Sequence, residues 1–280
     1  MTTLTETTRA GAKPRALIVT IYGLYAREVG GWIGVAALIR MMAALDVDES
    51  SVRSAISRLK RRELLAPRRV GGAAGYELSD QAREILDEGD RRIFGRQRAS
   101  LSDGWLLAVF TIPEAERQKR HVLRSRLSWL GFGTATPGVW IAPRNLFDET
   151  EDVLRRSQLA DYVHVFHADY LAFGDVAEHV PKWWDLDGLR ALYGEFLDTF
   201  GPVLTRWRRR RTPDDAAAFA DYARGLTAWR RLPFLDPGLP PELLPRDWPG
   251  VRAAELFEEL RERLAEPAHR YASAVIAPQR

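Results

Sequence analysis

The stretch that most constrains the fold of this chain runs from Trp32 to Ser79 and contains two apolar patterns of helical period. In residues 49–63, apolar side chains recur at every third or fourth position, and Asp48 stands where a helix N-cap is expected. Residues 34–45 have the same period, and Asp46-Val47-Asp48 is predicted to form the tight turn between the two helices. These patterns together predict a helix-turn-helix.

The residues around these helices predict a small sheet and a first helix. Residues 65–70 and 76–78 resemble two strands, and glycine-rich residues 71–75 predict a flexible tip between them. Trp32 and Ile33 are expected to add a short strand. Residues 14–26 contain Val, Ile and Thr that also suit a strand, but Pro14 suits a first helical turn and favours a helix. The arrangement is typical of a winged helix.

The outward face of the second helix is basic and rich in hydroxyls, which is typical of a helix in a DNA major groove. Arginine can bind guanine edges, while other polar groups hold phosphates. We predict base-facing positions for Arg53, Ser54, Ser57 and Arg58, and phosphate contacts for Ser50, Ser51, Lys60, Arg61, Arg68 and Arg69. A solvated face is the simpler interpretation of this helix alone, but its combination with a tight turn and a basic hairpin favours DNA binding.

The composition restricts the classes of function that the chain can have. The net charge of the 280 residues is +3, and the first 100 contain 17 Lys and Arg against 12 Asp and Glu, so positive charge is concentrated around the predicted DNA-binding helix. Without cysteine, disulfides and thiolate chemistry are excluded. No apolar run is long enough to span a bilayer, and polar residues 1–13 lack a signal core. We therefore expect a cytoplasmic protein with a disordered N-terminal arm and no membrane partner.

The central region predicts a mixed domain of strands and helices. Its first strand is a nearly continuous apolar run, typical of a buried strand, and the following helix carries Val122 among its apolar residues. The alternation of strands and helices predicts a ferredoxin-like α+β domain. The predicted elements are a strand over 105–113, a helix over 114–130, a strand over 134–143, a helix over 149–156 and a strand over 162–167.

The remaining sequence becomes helical from Trp183 onward, with a Pro- and Gly-rich connection of residues 232–250 that is expected to be structureless. The predicted helices cover 186–200, 214–231 and 251–264. The sequence thus predicts an α+β protein of three domains. These are a winged helix-turn-helix with a connector helix (14–99), a ferredoxin-like dimerisation domain (100–181) and a helical C-terminal domain (182–280).

Three blocks of this chain resemble the PaaX family of bacterial transcriptional regulators. They are IRMMAALDVDESSVRSAISRLKRRELL with the later GYELS, WLLAVFTIPEAERQKRHVLRSRLSWLGFGTATPGVWIAP, and WRRLPFLDPGLPPELLPRDWPG. Their order along residues 14–271 makes the resemblance specific. It implies a repressor of aromatic-acid catabolism genes, such as those for phenylacetate, that binds a palindromic DNA operator as a homodimer. It also implies that an acyl-CoA effector such as phenylacetyl-CoA releases the protein from DNA.

The central block is also similar to the small ferredoxin-like nuclease subunit of CRISPR spacer acquisition. That nuclease carries an acidic residue at the end of its first strand, where this chain has Thr111, which cannot give a carboxylate to a metal ion. His164 and His167 lie three apart on a predicted strand and so point to opposite faces. We predict no metal site, catalytic residue or cofactor, and keep a metal-dependent nucleic-acid-processing enzyme as the alternative function.

The C-terminal helical domain is the region expected to bind the effector. An aromatic acyl-CoA requires an apolar slot for its ring and Arg or Lys for its phosphates. The candidate residues are Trp183, Trp229, Arg230 and Arg231. In the alternative interpretation, these tryptophans are core residues and the nearby arginines belong to a solvated helix end.

Overall fold

The computed structural model describes residues 12–95, 98–171, 173–212 and 214–277. It contains helices and two antiparallel sheets, which confirms the α+β class. The chain forms two compact units. The first unit comprises the described residues of Met1–Arg91, Gly194–Arg231 and Val251–Arg280, and the second comprises those of Arg92–Tyr193 and Leu232–Gly250. The predicted disordered arm lies, up to residue 11, outside the described residues.

The elements are numbered in chain order. The helices are α1 (Pro14–Ile21), α2 (Val35–Ala43), α3 (Glu49–Arg61), α4 (Asp80–Phe94), α5 (Arg117–Leu130), α6 (Phe147–Arg156), α7 (Val176–Trp183), α8 (Leu186–Arg209), α9 (Asp215–Trp229), α10 (Leu232–Leu235) and α11 (Gly250–Ile276). The strands are β1 (Trp32–Gly34), β2 (Leu65–Val70), β3 (Ala73–Leu78), β4 (Trp105–Phe110), β5 (Gly133–Thr136), β6 (Val139–Pro143) and β7 (Val163–Ala168). No helix in the described part of the chain is both apolar and long enough to cross a membrane.

Helix α1 lies at the centre of the first unit. Pro14 begins it, which confirms the helical interpretation of this segment. A wider π-type turn continues the helix to Ala26, and a final turn ends at Gly30, whose φ of 82° is in the left-handed region that glycine favours. Ile18 and Ile21 of α1 are fully buried, and the helix contacts α2, α3 and α9. The N-terminal helices and a C-terminal helix therefore share one core.

The sheet of the first unit has the strand order β1-β3-β2, and all its pairs are antiparallel. Gly71 and Gly72 close the β2–β3 hairpin with φ values of 57° and 83°, as a two-residue turn requires. The predicted five-residue tip was therefore wrong, because these two glycines suffice for the turn. Ala74 and Gly75 instead pair with Arg69 and Arg68 in the strand ladder.

The second unit contains a four-stranded antiparallel sheet of order β5-β6-β4-β7. Strand β4 lies inside the sheet, and Leu106 and Ala108 on it belong to the same buried cluster as Leu123 and Leu127 of α5. The prediction of one strand over 134–143 was wrong, because Pro137 and Gly138 make a turn between β5 and β6. Val122, predicted on the apolar face of α5, is 43% exposed, since Leu123, Leu127 and Leu130 define that face.

The other differences from the predicted elements concern the ends of elements and one connection. Strand β4 ends at Phe110, three residues before the predicted end at 113. Helix α7 was not predicted, and α8 and α11 continue through Pro202 and Pro267 beyond their predicted ends. Helix α4 ends at Phe94, and two residues of the predicted connector helix, 96 and 97, are outside the described residues.

The connection of residues 232–250 is not structureless, because it folds into α10 and a 3-10 turn and is largely buried. Its Asp236 is 4% exposed. The carboxylate accepts hydrogen bonds from Tyr193 Oη at 2.7 Å, Gly238 N at 2.7 Å and Arg98 Nη2 at 3.1 Å. These partners satisfy the buried charge and fix the connection to its own unit.

Gly75 offers a test of the packing of the small sheet. A Cβ atom there would lie 2.4 Å from the ring of Trp32, so Gly75→Ala is expected to destabilise the protein by about 1–3 kcal/mol. Gly194→Ala is the matched control, because a Cβ there meets nothing within 4 Å and alanine favours a helix, with an expected gain of up to about 1 kcal/mol. Urea unfolding of both variants measures these changes. Equal stability of the two would contradict the close approach of Trp32.

Candidate nucleic-acid interface

Helix α3 begins at a strong local cap. The Asp48 carboxylate accepts hydrogen bonds from Ser51 N at 2.9 Å, Ser51 Oγ at 2.7 Å and Ser50 Oγ at 2.6 Å, which confirms the predicted N-cap. The hydroxyl of Ser50, then that of Ser51, holds the pKa of Asp48 well below its usual range. Both hydroxyls predicted to hold phosphates are therefore engaged in the cap.

The two faces of α3 differ completely in exposure. Val52, Ala55, Ile56 and Leu59 are buried, so the helix is fixed by its apolar side. The exposed side carries Arg53, Ser54, Ser57, Arg58, Lys60 and Arg61. Arg53 donates to Glu49 Oε1 at 2.8 Å from Nε and 2.5 Å from Nη2, whereas Arg58 and Arg61 have no partner among the described residues. The sequence-predicted residues of this helix thus lie together on one exposed, cationic side.

The β2–β3 hairpin adds two further exposed arginines. Arg68 Nη1 lies 2.5 Å from Glu77 Oε2, and Arg69 Nη1 donates to Gly72 O at 3.3 Å. Trp32 Nε1 donates to Arg68 O at 3.1 Å and ties β1 to the hairpin. Lys60 of α3 lies 5.9 Å from the centre of the Tyr76 ring on β3, so the end of α3 and the hairpin are neighbours.

The four residues predicted to bind an effector do not belong to one unit. Trp183 is half-buried in the second unit, where its ring is 6.0 Å from that of Trp105. Trp229 is buried in the first unit and stacks on Phe257 at 4.9 Å. Arg230 is also buried there, where desolvation lowers its pKa to about 10, and Nη2 donates to Ala16 O at 3.2 Å. Arg231 is half-buried. An effector site made of these residues stays a prediction.

Comparison with protein families gives three consecutive matches. Residues 13–82 match the PaaX-like protein family, residues 98–180 the PaaX protein central Cas2-like domain, and residues 184–274 the PaaX-like protein C-terminal domain. The chain belongs to the PaaX family. Transcriptional repressor PaaX of Escherichia coli (strain K12) is 26% identical over 264 residues, which cover 92% of this chain and 82% of that protein. This similarity to a repressor confirms the prediction that the chain is a regulator and not an enzyme.

A solved structure has the same fold as this PaaX-family chain. It is the uncharacterized protein Rv0674 from Mycobacterium tuberculosis, with 24% sequence identity and a TM-score of 0.62. The match covers 95% of this chain and 99% of that one. It supports the fold alone.

The PaaX domains divide differently from the compact units. Helices of the C-terminal PaaX domain pack in the first unit against those of the N-terminal domain. Thr20 and Thr227 are joined by a buried hydrogen bond of 2.7 Å, and Arg224 Nη2 lies 2.6 Å from Asp46 Oδ2, in the turn between α2 and α3. Arg40 Nη2 also donates to Val275 O at 2.8 Å. The candidate interface of this PaaX-family protein is therefore supported directly by C-terminal helices.

One exposed cation near the end of α3 was not among the predicted DNA contacts. Arg62 follows α3 as its C-cap residue and is exposed; the basic run Lys60-Arg61-Arg62 was the sequence signal that could have identified it.

Thr111, which stands where the similar nuclease has its acidic residue, is exposed just after β4. Within the described residues, no group of three or more His, Asp or Glu side chains is placed to hold a metal ion.

Removing the cap of α3 is expected to destabilise the first unit. Asp48→Ala leaves the first amides of α3 without their acceptor, so the unfolding midpoint falls at neutral pH. Since the pKa of Asp48 is lowered in the folded state, this stabilisation is present above the unfolded value of about 3.9 and is lost as the pH falls toward the folded value.

Urea unfolding of wild type and variant between neutral and acidic pH measures the effect. Asp80→Ala is the control, because Asp80 is exposed in the first turn of α4, where Ser79 Oγ accepts from Ala82 N instead. A difference between wild type and Asp48→Ala that stays constant below pH 4 would contradict the role of the carboxylate.

Proposed function

We propose that this PaaX-family protein is a DNA-binding transcriptional repressor that reads its operator with the exposed side of α3. The observation that carries the proposal is the separation of faces on this helix. Four apolar residues are buried, while arginines and serines on the other side are exposed beside a basic hairpin. A helix fixed in this way can enter a major groove without rearranging its core. The full-length similarity to a transcriptional repressor supports the same function.

The arrangement of elements supports the finer fold names. Helices α2 and α3 meet at the Asp46 turn, and the β2–β3 hairpin lies beside them, as in a winged helix-turn-helix. The strand order β5-β6-β4-β7, with α5 and α6 in the connections, fits a ferredoxin-like domain. We retain the division into domains 14–99, 100–181 and 182–280 as part of the proposal.

The hydrogen-bond and ion-pair partners of each cation suggest different roles on DNA. Arg58 has no competing carboxylate in the described structure, so it can reach a guanine edge directly. Arg53 must break its ion pair with Glu49 before it can bind a base, so only a base that offers a comparably strong contact is expected to be bound. Four further exposed cations suit phosphates: Lys60 and Arg61 at the end of α3, and Arg68 and Arg69 on the hairpin.

The regulatory part of the proposal follows from the family resemblance. The protein would act in the cytoplasm, where it would bind a palindromic operator as a homodimer whose two α3 helices are spaced by about 34–36 Å. An aromatic acyl-CoA of the phenylacetyl-CoA type would favour a dimer geometry that no longer fits the operator. Operator DNA must then weaken effector binding by the same factor. The regulated genes would serve aromatic-acid catabolism.

Arg58→Ala tests the base-reading role of α3. Loss of a bidentate contact to a base is expected to cost about 1–3 kcal/mol of discrimination, so operator affinity should fall by about fivefold to a hundredfold, with less effect on unrelated DNA. Gel-shift titrations on an operator located by footprinting measure both affinities. Arg246→Ala is the control, because Arg246 is exposed in the second unit. If the Arg58 variant binds with wild-type affinity and selectivity, Arg58 does not take part in base recognition.

Arg69→Ala tests the role of the hairpin. A phosphate contact has no sequence preference, so the variant should bind all duplexes more weakly by the same factor. The slope of log K against log salt should become shallower by about one unit. Titrations at several salt concentrations, with Arg246→Ala again as control, give this slope. If the variant loses affinity for the operator alone, the hairpin contacts bases and not phosphates.

A further inference from the structure

Two adjoining clefts lie on the second unit, within the central Cas2-like domain. The first has a volume of about 590 Å³, and the second a volume of about 440 Å³. Arg120, Arg124 and Trp140 line both, so the two clefts are parts of one surface depression. Each volume is within the range of small-molecule sites. In the sequence alone, the arginines of α5 resemble an ordinary solvated helix face.

The first cleft is cationic. Arg117, His121, Arg124 and Ser128 follow one another at helical spacing and lie on one stripe of α5. Arg117 and Arg124 are exposed and have no partner among the described residues. Arg120 is instead fixed, since Nη2 donates to Ile112 O at 2.7 Å and Nη1 lies 3.3 Å from Glu114 Oε2. Three arginines with one carboxylate make a site for a group with more than one negative charge, such as a phosphate or pyrophosphate.

The second cleft is mainly apolar. Phe110, Ile112 and Pro137 line it together with the shared Trp140. Ile112 is 4% exposed and Trp140 6%, and both belong to the buried cluster of this unit, so the wall exists before any ligand arrives. A preformed aromatic wall suits a flat hydrocarbon group. Thr134 stands opposite Trp140 in the β5–β6 ladder and is exposed.

We propose that this double cleft is the effector site, which binds a phosphate-bearing small molecule with an aromatic or other apolar end. The phosphates lie against Arg117 and Arg124, and the apolar end lies against Trp140 and Phe110. The proposal rests on the proposed function for the existence of an effector, but moves its site from Trp183, Trp229, Arg230 and Arg231 to the central domain. The cleft lining favours this change, because Trp140 lines both clefts, whereas Trp229 and Arg230 line neither of them.

Isothermal titration calorimetry of the full chain tests the site with phenylacetyl-CoA, free CoA and phenylacetate as probes. Wild type is expected to bind both phosphate-bearing probes and to prefer the ester. The double variant Arg117→Ala/Arg124→Ala should bind both at least about tenfold more weakly, as expected for the loss of charge-assisted hydrogen bonds. Thr134→Trp should fill the apolar cleft and remove the preference for the ester without weakening free CoA. Arg246→Ala is the control for a lost surface charge in the same unit.

The outcomes separate the site from the proposed function. Operator binding without ligand, measured on the same samples, should be unchanged in all these variants. If the wild-type protein binds no DNA, the proposed repressor function is refuted, while the calorimetry still tests ligand binding in the cleft. Wild-type affinity for phenylacetyl-CoA in the double arginine variant overturns the site. No binding of either phosphate-bearing probe to wild type also overturns it. An unchanged ester preference in Thr134→Trp refutes the apolar half.

Discussion

The packing of α1 between α3 and α9 is the interaction on which the first unit depends. Ile18 and Ile21 are fully buried, and burial of each such side chain contributes about 1.5–3 kcal/mol. The same helix carries Thr20, whose hydroxyl bonds to Thr227 in a buried position. The Thr227 hydroxyl itself donates to Ala223 O at 2.6 Å, so Thr20 is the donor between the two hydroxyls. Loss of the Thr227 hydroxyl would leave the buried Thr20 donor unsatisfied, at a cost of about 1–3 kcal/mol. Because α1 contacts both helices, it links the position of α3 to that of α9.

Exposed polar contacts around this core help to orient the helices but contribute little to the free energy of unfolding. The ion pair of Asp46 with Arg224 joins the turn before α3 to α9, and His269 Nε2 of α11 lies 2.6 Å from Glu28 Oε2. Exposed pairs of this kind contribute about 0–1 kcal/mol each. Their positions matter more than their energies, because each connects the N-terminal helices to a C-terminal helix. A movement of α9 or α11 would therefore change the orientation of α3.

Local patterns predicted the elements whose causes are local. Helix α3 was found because its apolar period and the Asp48 cap are neighbours in sequence, and the hairpin because its strands are adjacent. The prediction was wrong where a short turn signal lay inside a longer strand pattern, as at Pro137-Gly138. It was also wrong where contacts with residues distant in sequence determine the local structure. Residues 232–250 look like a loop, but Asp236 is buried by Arg98, 138 residues away. Tryptophan and arginine content likewise pointed to the C-terminal helices for an effector, whereas Trp229 is a core residue of the first unit, as the alternative interpretation predicted, and Arg230 is buried beside it in sequence.

Arginines with and without carboxylate partners are expected to behave differently toward outside anions. Arg53 and Arg68 are paired with Glu49 and Glu77, so binding a phosphate means giving up an existing contact. This exchange lowers the gain from any anion that fits poorly and thereby favours the correct partner. Arg58 on α3 and Arg124 on α5 have no such competitor in the described structure and keep their full charge available. Both of these arginines lie next to a well-packed part of the structure. Arg58 lies on a helix whose other side is buried, and Arg124 lines the same clefts as the buried Trp140. This fixed packing distinguishes both surfaces from an ordinary solvated surface.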